Sequence, residues 1–257
     1  MMDYYTLATL EKNMFPMISL LIALMTLSKR KYSTFFFMSI FSLLISNIPL
    51  IYKFSLILPI SYLLFFLLSY EDFLEVKKNV RFDSYGFLSI FLGSVPHTLI
   101  IAFAGIMGYI FFENVNLLSF FLIFLTSFIE ELFFRIKIFK EYNKFNIILS
   151  SLSFSLFHTP LVPFTYNDFL YIFLMYLFFG LSLQYIYIYY GFTNSFLLHF
   201  TYNIIALNYV VLLDAYSISI LIFSQLFLIL LITKILDIKI IRNNLVPKLH
   251  AYKRLFL

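Results

Sequence analysis

Apolar runs long enough to span a bilayer recur along the whole chain, at roughly 13–28, 33–52, 54–70, 86–112, 117–138, 146–163, 169–190, 192–212 and 216–235. Each is near the ~20 residues that an α-helix needs to cross a hydrocarbon core. Lipid offers no partner to an open backbone N–H or C=O, so runs of this length are read as helices. Composition excludes a soluble domain: 62% of the 257 residues are hydrophobic, only 12% are charged, and the mean hydropathy is +0.95. The expectation is all-α, a polytopic transmembrane helical bundle of eight to nine spans. Nine is the direct count; the lower figure arises because Lys53 alone splits 33–70 and Gly191 alone splits 169–212.

Charge sets the orientation. With the N-terminus outside, Lys29, Arg30, Lys31, Lys77, Lys78, Arg81, Arg135, Lys137, Lys140, Lys144 and the six basic residues from Lys234 to Arg254 all fall on or next to the cytoplasmic side. Only Lys12 and Lys53, of 18 basic residues, fall outside, where Glu113, Asp168 and Asp214 also lie. N-out/C-in therefore satisfies the positive-inside rule. The net charge of +5 reports this orientation and not a nucleic-acid partner. The expected location is the plasma membrane, as an integral multi-pass protein in contact with the lipid bilayer. Residues 71–84 read as a polar loop of mixed charge, and no basic region precedes the first apolar run as a signal peptide would require. The absence of cysteine rules out disulfides, a thiol nucleophile and thiolate metal sites.

Polar groups inside spans cost free energy and mark function. The densest cluster is Glu130, Glu131 and Arg135. Glu131 and Arg135 stand four apart, the spacing at which two side chains of one helix meet. Glu130 is turned by about 100° and can face another helix. His158 lies in the next span; His199 and Asn203 share a face of the eighth. At ~1.5 Å per residue, Glu130, His158, His199 and Asn203 fall ~10–17 Å from the cytoplasmic boundary, in one layer. A carboxylate, two imidazoles and a carboxamide suit hydrolysis. The carboxylate is a base for water, an imidazole orients that water, and the remaining donors stabilise an oxyanion. Glu130, His158 and His199 are also a possible zinc set, two imidazoles and one carboxylate. The sequence leaves open whether a metal is required at all.

EELFFR (Glu130–Arg135), FSLFH (Phe154–His158) and HFTYN (His199–Asn203) match the patterns EExxxR, FxxxH and HxxxN, in that order on separate spans. Over about residues 115–210 the chain resembles the type II CAAX prenyl endopeptidases, the CPBP or Abi family, which also includes bacteriocin-processing and immunity proteins. The resemblance implies an intramembrane endopeptidase acting near the C-terminus of a membrane-anchored or prenylated protein, its site opening toward the cytoplasm. It implies Glu130 as the water-activating base, His158 as its assistant, and His199 and Asn203 as oxyanion donors. Glu131 and Arg135 would shape the site, and Phe154 would pack it. Ile136 departs from the small residue common after the motif arginine. The chain then divides into N-terminal membrane helices of unassigned role (1–112), a catalytic CPBP-like core (113–212), and a last helix with a basic cytoplasmic tail (213–257).

Plainer readings exist for the other polar residues. His97 follows Pro96 and reads as a neighbour of a kink. Gln184 and Asn208 read as interhelical hydrogen-bond glue, Thr193, Asn194 and Ser195 as the N-cap of the eighth span, and the tyrosines of 185–190 as an aromatic belt. Competing functions are a non-catalytic, immunity-type membrane protein and a proton-coupled transporter. The transporter is disfavoured by the nearly pure Phe, Leu and Ile character of the outer half of these spans.

Overall fold

The computed structural model describes residues 68, 70–80, 85–112, 117–139, 144–159, 166–211 and 216–235. The spans expected at 13–28, 33–52 and 54–70 lie outside the described residues, apart from Leu68 and Tyr70, as does the basic tail from residue 236 onward. The described chain is mostly helical. Helix α1 is Tyr70–Asn79 and α2 is Tyr85–Ile106. Strand β1 (Ile110–Phe112) precedes α3, Leu117–Glu131, which widens into a π-helix over Leu132–Ile138. Next come α4 (Lys144–His158), α5 (Tyr166–Tyr190), α6 (Phe192–Ala206), β2 (Tyr209–Val211) and α7 (Tyr216–Ile235). Three of these, Tyr85–Ile106, Leu170–Tyr190 and Tyr216–Ile235, are long and apolar enough to cross a membrane.

Three expectations are corrected. The polar stretch 71–84 is not simply a loop, because most of it forms α1. Glu71 and Asp72 stand in its first turn and Lys77 and Lys78 near its end, an order that complements the helix dipole. Asp72 is buried and pairs with Lys137 of the π-helix at 3.3 Å. The runs 86–112 and 192–212 are not single helices either: α2 stops at Ile106 and α6 at Ala206, and each run ends in a strand. The strands pair antiparallel, Ile110 with Val211 and Phe112 with Tyr209. Gly108, at φ 75°, makes the turn that a side chain would strain. The ribbon satisfies backbone groups that the 15-residue α6 leaves unpaired beyond its end. The break at Gly191, by contrast, is where it was expected, with φ 89° between α5 and α6.

Helix α6 is the centre of the bundle, packed on α2, α3 and α5, while α4 lies along α5. Two glycines set how closely these helices approach. A Cβ on Gly180 would sit 3.2 Å from Phe154 Cδ1 and 3.3 Å from the Ser151 backbone, so α5 rides directly on α4. A Cβ on Gly93 would fall 2.6 Å from the Leu198 carbonyl oxygen and 3.0 Å from Thr201 Cβ. That carbonyl belongs to a helix backbone and cannot swing aside. Gly93→Ala is therefore expected to push α6 away, lowering stability by about 1–3 kcal/mol as overpacking does. Thermal unfolding of the purified variant checks this, and an unchanged melting temperature would refute it.

Phenylalanine fills the remaining contacts. Phe120, Phe124 and Phe128 of α3 meet Phe192, Phe196 and Phe200 of α6 edge to face, with centroids 5.2–5.7 Å apart. This is the geometry the ring quadrupole favours. Toward the ribbon end, His97, Tyr202, Tyr209 and Gln225 are buried together. His97 Nδ1 meets the Tyr209 hydroxyl, and Gln225 Nε2 donates to the Tyr202 hydroxyl at 3.0 Å. His97 is thus a packed and bonded histidine, beyond being a kink neighbour. Tyr202 meets it ring on ring, at 4.2 Å.

Candidate active site

The site lies where α3, α4, α5 and α6 meet. Helix α3 delivers Glu130 and Glu131 on consecutive positions, and the π-helix that follows carries Arg135. Wide helical turns of this kind are frequent at functional sites. Glu131 and Arg135 are both wholly buried and paired, Nε to Oε2 at 3.3 Å. The guanidinium Nη1 also donates to Ser150 Oγ at 3.0 Å and to Gln184 Oε1 at 3.3 Å. Ser150 in turn lies 2.9 Å from Gln184 Oε1 and 2.7 Å from the Phe134 carbonyl. The face of Phe154 lies 5.2 Å from the Arg135 carbon. One cation thereby ties α3, α4 and α5 together. Arg135, counted in the sequence among the cytoplasmic boundary cations, is a core residue.

His199 stands between the two glutamates. Its Nδ1 lies 2.9 Å from Glu131 Oε1 and its Nε2 lies 3.5 Å from Glu130 Oε2. His158 presents Nε2 to Glu130 Oε2 at 3.2 Å and places Nδ1 2.9 Å from the Phe154 carbonyl. A carbonyl can only accept, so the Nδ1 of His158 carries a proton; an ionised Glu131 asks the same of His199. With neutral rings both Nε2 atoms are then acceptors, aimed at a third acceptor, the Glu130 carboxylate. Two carboxylates against one guanidinium leave the cluster one negative charge in excess. Electrostatics therefore calls for something that donates at that point: a water, a proton or a cation. Potential ligand atoms of Glu130, His158 and His199 all lie within 4.8 Å of one another. The set fits a divalent metal as two imidazoles and a carboxylate. The Nδ1 contacts to Glu131 and to the Phe154 carbonyl are the outer contacts such ligands usually have.

Four expected residues converge here: Glu130, Glu131, His158 and His199. Phe154 packs as expected, stacked on His158 at 4.0 Å and edge-on to His199 at 5.6 Å. Asn203 sits at the margin. Its Nδ2 donates to Ser127 Oγ at 3.0 Å, one helical turn before Glu130 and Glu131. The N-cap reading of Thr193, Asn194 and Ser195 is corrected: Gly191 caps α6, with no side-chain cap bond. Ser195 lies 2.5 Å from Glu131 Oε2 and 3.0 Å from the Leu183 carbonyl. With one proton to give, it serves the charged acceptor better. Asn194 accepts from Ser89 of α2 and donates to the Tyr190 carbonyl. Gln184 is glue as expected, though the partner it steadies is Arg135. Asn208 donates to the Ile204 carbonyl one turn back, and among the described residues no bond from it to another helix is seen. The belt reading of 185–190 is also incomplete, because Tyr190 is buried and packs against Tyr85. The roles of Ser150, Ser127 and Tyr176 escaped the sequence reading, and Ser195 was read only as a cap. A hydroxyl in an apolar span carries no local sign of what it will meet on another helix.

The helical bundle thus brings paired glutamates and two histidines together in its interior. Residues 112–205 match the family model for type II CAAX prenyl endopeptidase Rce1-like proteins, and this stretch is an Rce1-like domain. It contains all seven motif residues from Glu130 to Asn203 and leaves α1, α2 and α7 outside. Family and apolar helices together point to an integral membrane protein and a CAAX-type membrane peptidase. No curated protein and no solved structure matches the chain.

Proposed function

We propose that the protein is an intramembrane endopeptidase that hydrolyses a peptide bond near the C-terminus of a membrane-anchored or prenylated protein, using water activated by Glu130. The observation that carries this reading is the convergence of Glu130, His158 and His199 within 4.8 Å. Water held between Glu130 and the His158 Nε2 loses a proton to the carboxylate as its oxygen attacks the scissile carbonyl carbon. The oxyanion takes hydrogen bonds from His199 Nε2–H and the Asn203 amide. For that role His199 carries both ring protons, the second facing Glu130. The C–N bond then breaks and Glu130 returns the proton to the departing amine. Glu131, bonded to Arg135, Ser195 and His199, holds the second imidazole in place.

Around this core (113–212), residues 1–112 and 213–257 supply the flanking helices of a bundle of eight or nine spans, N-out/C-in. The placement of cations supports a site that opens toward the cytoplasm. A second reading of the same peptidase has zinc held by Glu130, His158 and His199, and the three converging acceptors favour it. Bound there, the ion would supply Lewis-acid activation of water or carbonyl.

The deciding experiment incubates the purified protein in liposomes with a farnesylated peptide ending in a CAAX-type sequence. Release of the C-terminal fragment is expected. Cleavage that survives exhaustive chelation supports glutamate-activated water. Loss on chelation and recovery with zinc supports the metal. A folded protein that cleaves nothing, with or without zinc, counts against both and favours the immunity-type scaffold.

A further inference from the structure

The geometry points to Tyr176 as a further catalytic residue, its hydroxyl donating a hydrogen bond to the scissile amide as the carbonyl becomes tetrahedral. The inference rests on the peptidase reading above and adds a donor from α5, a helix to which that reading gives no chemistry.

Three observations carry it. The first is position. The Tyr176 ring lies 5.1 Å from the His158 ring at 33°, and Phe154 lies 4.0 Å from it at 29°. Both rings thus pack against the one imidazole. The second is reach. The imidazole that the Tyr176 ring packs against presents its Nε2 to Glu130 Oε2 at 3.2 Å, so the phenol belongs to the same site. The third is that the hydroxyl is uncommitted. Among the described residues nothing bonds it, and it is not one of the sealed-off, unpaired polar atoms such as Arg135 Nη2 and Gln184 Nε2. The neighbouring tyrosines differ: Tyr202 is bonded to Gln225 and Tyr209 to His97.

Packing alone would explain a phenyl ring here, and Phe is the commonest aromatic residue of this chain, 36 against 20 tyrosines. A half-buried phenol without a partner, beside the proposed base and its histidine, is what phenylalanine would not supply. Its O–H needs no net proton transfer to act. It shortens its bond to the substrate as charge grows on the carbonyl oxygen, alongside the His199 and Asn203 donors.

The test is Tyr176→Phe, which keeps the ring on His158 and removes only the oxygen, assayed on the farnesylated peptide in liposomes. The expected result is a fall in kcat of about 10²–10³-fold, the range for loss of one oxyanion donor, with KM and melting temperature unchanged. A kcat equal to the parent's, or a change confined to KM, overturns the proposal. Should Tyr176→Phe lose its fold, fluorotyrosines placed at position 176 keep ring and hydroxyl while varying phenol acidity. A kcat that follows that acidity upholds the donor role; a kcat indifferent to it overturns it. Glu130→Gln run in parallel separates the two readings. Cleavage that persists in Glu130→Gln sinks the peptidase mechanism itself, whereas loss there with full activity in Tyr176→Phe removes Tyr176 alone.

Discussion

Glu130→Gln is expected to lower the cleavage rate by about 10²–10⁴-fold, the usual contribution of a general base, while the protein stays as stable as its parent. The change is nearly isosteric, so the packing around α3 is undisturbed. A carboxamide cannot take a proton from water. It brings an N–H to His158 Nε2, which faces the carboxylate at 3.2 Å, and keeps a carbonyl oxygen for the second ring proton of His199 at 3.5 Å. With a partner kept for each ring, the melting temperature should hold. Paired measurements of rate and thermal unfolding decide the matter. A variant that cleaves at the parent's rate removes Glu130 from the chemistry. One that loses fold and activity together turns the glutamate into a structural residue.

The second large effect belongs to the neighbouring position. Glu131→Ala leaves the wholly buried Arg135 without its carboxylate and strips acceptors from Ser195 and His199. Breaking a buried pair from one side costs about 3–5 kcal/mol, because the surviving charge is desolvated and unpaired. The single variant is expected to unfold at markedly lower temperature and to be inactive. Adding Arg135→Met should restore much of the stability, since replacing both members of a buried pair is often nearly neutral. Activity should not return, because His199 still lacks the acceptor that fixes its Nδ1. A single variant as stable as the parent would show that Arg135 finds its compensation elsewhere. Recovery of cleavage in the double variant would show that Glu131 does not position His199.

The two adjacent glutamates therefore differ in kind, and spacing alone hints at it. Four residues separate Glu131 from Arg135 on one helix face, so their pairing follows from helical geometry. Glu130, turned away from that face, was free to meet other helices, and it meets α4 and α6. Phe154 and His158, which entered through a motif, are also four apart, and the structure stacks them. Local regularity failed where an apolar run changed its backbone. Residues 107–112 and 207–211 are as hydrophobic as the helices before them, yet each forms a turn and a strand, and the two strands pair with each other. A strand of this kind depends on a partner about a hundred positions away, and hydropathy does not register partners. Ser195 was misjudged for a related reason. Its place near a helix start suggested a cap, but Gly191 already occupied that role and left the hydroxyl for Glu131.

The sequence by itself determined the solvent, the helices at the heart of the described apolar runs, and the identity of the groups capable of chemistry. Apolar length and the cost of a charge in lipid are properties of short segments and need no fold to be read. Only the tertiary structure decided which atoms face one another. It set both Nε2 atoms on Glu130, enclosed Arg135 between Ser150 and Gln184, moved Asn203 to Ser127, and laid Tyr176 over His158. Those contacts join helices far apart in the chain, and their distances depend on close approaches such as Gly93 to Leu198 and Gly180 to Ser151. Hydrogen bonds and proton transfers are decided over tenths of an ångström, a precision that only packed helices impose.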